Sequence, residues 1–144
     1  MIISLGPSTD VHTQVRIHTK EVQLFGGLTP SLEQVMDVLT TKDITATLPK
    51  VGIQVDDVTM DNYVRIYDRI IRAIKGTKPV FFIRKSPLSK NNAKKFVAAV
   101  NNINQKCKFV LIVIDTEKEA LANNVLRIKD SENCWDEVWD ATTS

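Results

Sequence analysis

Few residues in this sequence have types and spacing that could do chemistry, and Asp115 stands out among them because it closes the run "KFVLIVID" at 108–115. A carboxylate at the end of a buried strand is where nucleotide-hydrolysing folds hold a metal ion, and ligands of open parallel sheets gather at the carboxyl ends of the strands. A nucleotide site also needs a glycine-rich loop, since only glycines let backbone N–H groups approach phosphates closely. Neither G-x-x-x-x-G-K-[ST] nor G-x-G-x-x-G occurs in the chain. The nearest substitute, "LFGGLTPS", passes through Gly26 and Gly27 into a helix start but lacks the lysine and the spacing, and a tight turn is expected there. Asp115 is accordingly expected to cap the next helix, accepting a backbone N–H bond beside Thr116.

The remaining chemical candidates reduce in the same way. Asp56, Asp57 and Asp61 lie close enough in sequence to hold a divalent cation, yet they also suit the positive N-terminus of a helix beginning near Thr59. His12 and His18 have no further ligands at a recognisable spacing. Cys107 and Cys134 form no C-x-x-C and have no flanking histidine, so both are expected to be reduced thiols with no zinc. No G-x-S-x-G and no H-E-x-x-H is present. Neither cofactor nor metal is expected.

Charge is the stronger signal. The net charge of +2 hides a segregation: residues 1–63 carry −4, residues 64–108 carry +11 from twelve cations against one acid, and residues 109–144 carry −5. Arg65, Arg69 and Arg72 step by four and three, which places them on one outward helical stripe opposite Tyr63, Tyr67, Ile70 and Ile74. Lys90, Lys94 and Lys95 repeat the pattern on the next helix, with Arg84 and Lys85 leading into it. Such a surface suits an anionic partner: nucleic-acid phosphates, an acidic protein or a membrane headgroup layer. Aromatic residues for base stacking are missing from the outward positions, which disfavours sequence-specific single-strand recognition. The tail "CWDEVWD" adds Trp135 and Trp139 at i and i+4, as a packed last helix or as a pair of docking anchors.

The elements that must position these residues follow from hydrophobic periodicity. "ITATLP" (44–49), "KPVFFIR" (78–84) and "KFVLIVI" (108–114) are rich in β-branched and aromatic residues and are expected to be strands. Met60, Tyr63, Val64, Tyr67, Ile70, Ile71 and Ile74 follow helical spacing, as do Ala93, Phe96, Val97, Val100 and Ile103. Thr29 and Pro30 mark a helix start before Leu32, Val35, Met36 and Leu39; Gly76 marks a helix end. Thr116 and Glu119 have capping-box spacing for a fourth helix running to about Leu126. "MIISL" is a further strand candidate, and "QVRIH" with "EVQLF" is a candidate hairpin added antiparallel at an edge.

A run buried on both faces, as 109–114 implies, belongs to a central parallel strand. The expected fold is therefore one three-layer α/β domain with a mostly parallel sheet. Residues 1–27 form its edge strands or hairpin, 28–128 its alternating helix-strand core, and 129–144 an acidic, Trp-containing C-terminal segment. No apolar run approaches the roughly 18 residues a bilayer requires, and a cytoplasmic location is expected. The stretch 78–128 resembles the middle of a clamp-loader-type ATPase domain in its order of strand, "LS", amphipathic helix, strand and short helix with a trailing arginine. With "RKS" standing where the acidic cluster would be, that resemblance implies a nucleotide-free architectural subunit.

The functional expectation is a non-enzymatic binding or architectural subunit whose partner contacts are Arg65, Arg69, Arg72, Arg84, Lys85, Lys90, Lys94, Lys95, Trp135 and Trp139. Two alternatives stay open. One is a small nucleotide- or metal-binding enzyme using Asp115, Asp56 and Asp57; the other is a self-associating structural protein, a homo-oligomer whose basic block meets the acidic ends of neighbouring copies.

Overall fold

The structure is a computed structural model that describes residues 1–6, 9–19, 23–25, 30–53, 56–115 and 124–143. Four strands, β1 (Ile2–Ser4), β2 (Val80–Lys85), β3 (Phe109–Asp115) and β4 (Val125–Lys129), pair in that order with every neighbour parallel. Among the described residues six helices accompany them: α1 (Thr9–Thr19), α2 (Leu32–Thr40), α3 (Ile44–Thr47), α4 (Asp57–Lys75), α5 (Lys90–Ile103) and α6 (Cys134–Thr143). This is an α/β domain with an all-parallel sheet.

The strand order fixes which helices share a layer. Each crossover moves one strand further in the same direction, and right-handed crossovers then put their helices on the same face. Helices α4 and α5 obey this rule. Side chains alternate across each strand, so Ile3, Phe82, Leu111 and Val113 meet Val35 of α2, Ile74 of α4, and Phe96 and Val100 of α5. The intervening positions Ile83, Ile112, Ile114 and Ile128 point the other way, onto Val11 and Val15 of α1 and Val138 of α6. Residues 109–114 are thus buried or nearly so on both faces, as a central strand demands.

Several local expectations are corrected. Residues 9–19 form helix α1 and not the first half of a hairpin. Val11 and Val15, one helical turn apart, supply its buried stripe, while Ile17 is 67% exposed and mimics the alternation of a strand. The "EVQLF" half lies partly outside the described residues, and the N-terminal strand itself pairs parallel with β2. "ITATLP" is helical. Asp43 caps α3 by accepting from Ala46 N–H at 3.3 Å, and Pro49 enters a 3₁₀ turn at Leu48–Val51. Helix α2 begins one turn-signal later than expected, with Ser31 and Gln34 forming a reciprocal capping box.

At the far end, Val125–Lys129 is strand β4 where the close of a fourth helix is expected. Asn124 launches it from a left-handed backbone (φ 68), a conformation that asparagine tolerates. Its Nδ2 donates to the Phe109 carbonyl at 2.9 Å. Thr116, Glu119, Gly26 and Gly27 lie outside the described residues.

Candidate anion-binding surface and the strand-end charges

At the carboxyl ends of the strands the sheet register builds a buried charged group. Arg84 pairs across with Val113, and Val113 with Arg127, so the two arginines share one face with Asp115 two residues on. Asp115 Oδ2 lies 3.4 Å from Arg127 Nη2 and accepts from the Leu88 N–H at 3.4 Å. Arg127 Nη2 in turn donates to the Leu88 carbonyl at 2.9 Å. The carboxylate and guanidinium side chains are 3% and 5% exposed. The pair therefore clamps the segment entering α5.

Arg84 is 6% exposed and is withdrawn from the expected partner contacts. Its guanidinium donates to the carbonyls of Leu5 at 3.1 Å and Pro30 at 3.3 Å, and its Nε donates to Ser86 Oγ at 3.0 Å. Burial lowers its pKa from the usual arginine value. Its role is to tie the ends of β1 and β2 to the entrance of α2.

Lys85 points to the opposite face and is also engaged internally. Its Nζ lies 3.0 Å from Asp10 Oδ2 and 3.7 Å from Asp130 Oδ1. The hydrogen bond that Lys85 donates to Asp10 raises the Lys85 pKa, partial burial opposing it and the charges of Asp10 and Asp130 adding to the rise. Trp135 Nε1 donates to the same Asp10 oxygen at 3.2 Å, and Trp139 stacks on His18 with ring centroids 4.0 Å apart and planes within 1°. Both tryptophans are half-buried against α1. They hold the last helix to the first.

Ten of the twelve cations between 64 and 108 remain exposed, and none of the ten forms an ion pair among the described residues. Arg65, Arg69 and Arg72 lie within about 60° of arc on α4, because residues three and four apart share a helix side. Lys90, Lys94 and Lys95 are exposed on α5, in the same layer. Helix α4 is well fixed. Asp56 caps it by accepting from the Thr59 N–H at 2.8 Å, and this bond lowers the Asp56 pKa. Tyr67 donates to the Thr41 carbonyl at 3.2 Å. Burial, with the Asp68 charge behind it, raises the Tyr67 phenol pKa.

The arginines open onto three adjoining clefts along α4, the outer two of which reach the β1 side of the sheet at Gln23 and Met1. His12, Arg16 and Tyr63 line the first, which shares Asn62 and Ile66 with a second holding Arg65 and Arg69. Arg69 passes on to a third, of about 540 Å³, with Arg72, Thr77 and Lys78. Among the described residues, no carboxylate lines any of the three. Nothing in the sequence marks Arg16, Gln23 and Lys78 as site residues; the topology brings Arg16 and Gln23 beside the N-terminal half of α4, and Lys78 lies just past its C-terminal end.

Beside these clefts the Gln23 side chain covers the edge of β1. Gln23 Oε1 accepts from Ser4 N–H at 2.9 Å, and its Nε2 donates to the Ile2 carbonyl at 3.4 Å. Those two backbone groups flank Ile3 and are the pair a parallel neighbour strand would engage. A single amide thus stands in for a fifth strand.

Among the described residues, no three His, Cys, Asp or Glu side chains gather as a metal site. None of the described helices is long and apolar enough to cross a membrane. Cys107 and Cys134 are buried and free, and burial raises the Cys107 pKa. Fold and site together define a parallel α/β domain with an exposed arginine stripe at one sheet edge. Compared with known proteins, the chain has no match among family models, curated proteins or solved structures.

Proposed function

We propose that this protein is a non-enzymatic binding subunit that presents the arginine stripe of α4 to an anionic partner within a larger assembly. The observation that carries this reading is the state of Arg65, Arg69 and Arg72: exposed, aligned, and without an ion pair among the described residues. Like charges at this spacing each cost a few tenths of a kcal/mol in an isolated helix. A partner that neutralises them recovers that cost. The strand-end carboxylates give the enzyme alternative less support, since Asp115 is held by Arg127 and Leu88 and Asp56 caps α4.

Retention on immobilised heparin, a generic polyanion, tests the reading. Wild-type protein is expected to bind at low salt, and Arg65→Glu/Arg69→Glu/Arg72→Glu is expected to elute well before it. Lys90→Glu/Lys94→Glu/Lys95→Glu changes the net charge equally and serves as the comparison. Equal loss from both variants would mean that bulk charge, and not the stripe, does the binding; no retention of the wild type would end the proposal.

A further inference from the structure

We infer that the three adjoining clefts form one groove that takes a single strand of nucleic acid by its phosphates, without reading its sequence; this rests on the anionic-partner reading of the stripe. Between Thr59 and Gly76 the groove follows α4 for about 26 Å, at 1.5 Å per residue. Five cations line it from end to end: Arg16, Arg65, Arg69, Arg72 and Lys78. Four of the five are arginines, whose forked donors match phosphate oxygens two at a time. Neutral donors, among them Asn62 and Thr77, lie between them and can meet sugar or phosphate oxygens.

Two features favour a phosphodiester chain over an acidic peptide. An extended peptide gains most by adding as a strand to an open sheet edge, and here the Gln23 amide already occupies the Ile2 carbonyl and the Ser4 N–H. Among the described residues the groove therefore offers side-chain donors and no free strand edge. Among its described residues the only rings are those of His12 and Tyr63, both half-buried and both at one end, so they form no platform along which successive bases could stack. What remains is recognition of regularly spaced charge.

Fluorescence anisotropy with an oligothymidine and a polyglutamate of matched charge, over a salt series, tests the inference. Five phosphate contacts on a single strand predict a log–log salt slope of about −3.5, or about 100-fold weaker binding at 200 mM than at 50 mM salt. Arg16→Ala and Lys78→Ala, one at each end of the groove and both off the stripe, are each expected to reduce the slope by about 0.7. Circular dichroism confirms that these surface variants fold. If both variants bind with unchanged affinity and slope, the groove is not the path. If polyglutamate binds as tightly as the oligothymidine, the nucleic-acid assignment falls while the anionic-partner reading stands. Failure of both probes at low salt overturns the two together.

Discussion

Asp115 and Arg127 show how much a single residue's meaning depends on what the fold places beside it. A buried ion pair gains Coulomb energy but has lost the hydration of both partners, so removing one member is worse than removing both. Asp115→Ala is expected to cost about 3–5 kcal/mol, because Arg127 would keep a buried charge without its carboxylate. Asp115→Ala/Arg127→Met is expected to be more stable than the single variant; additive losses in urea titrations would show that the two side chains act independently. Lys85 provides the second test at this scale. Its pKa is raised above the ordinary 10.5 by Asp10, so its stabilisation is complete below that value and is lost as pH climbs through the raised one. Unfolding midpoints of wild type and Lys85→Met should differ at pH 8 and converge at the alkaline end of a titration. Parallel curves throughout would mean that the contact contributes nothing through charge.

Elements were legible in the sequence where many residues agreed on one period, and illegible where few residues decided. The spacing from Met60 to Ile74 gave α4, and the apolar run at 109–114 gave the central strand, because each pattern is enforced by burial along its whole length. Helix α1 is not legible because its buried stripe rests on Val11 and Val15, while Ile17 faces solvent and gives the segment the alternation of a strand. The segment at 44–49 carries strand-favouring threonine and isoleucine, but the Asp43 cap and Pro49 govern it, which is local hydrogen bonding overriding propensity. Of the expected partner residues, Arg65, Arg69, Arg72, Lys90, Lys94 and Lys95 are exposed, whereas Arg84 and Lys85 were drawn inward by strand alternation. The least legible element was the guarded edge of β1, since nothing about Gln23 in sequence announces that its amide replaces a strand. Gln23→Ala should leave the Ser4 N–H unsatisfied, at about 1–3 kcal/mol, and should free the edge for pairing. Light scattering at rising concentration is expected to show association for this variant only; a variant as monodisperse as wild type would mean that other parts guard the edge.

For the whole molecule, the stripe sets stability against binding, and one substitution can read both. Arg69 stands four residues after Arg65 and three before Arg72, so it takes part in both like-charge neighbours of the stripe. Arg69→Glu turns each repulsion into an attraction, for a gain of about 0.5–1 kcal/mol. In a domain of this size that is a rise in Tm of roughly 2–5 °C. The same change puts a carboxylate where the second and third clefts meet, and binding of the oligothymidine should weaken steeply. Natural sequences retain a destabilising feature where function requires it, so a variant that is more stable and binds less is the signature of a surface kept for a partner. A variant that is no more stable would show that solvent already screens the stripe. One that is more stable and binds the strand undiminished would show that Arg69 faces water and nothing else, and the groove would lose its central contact.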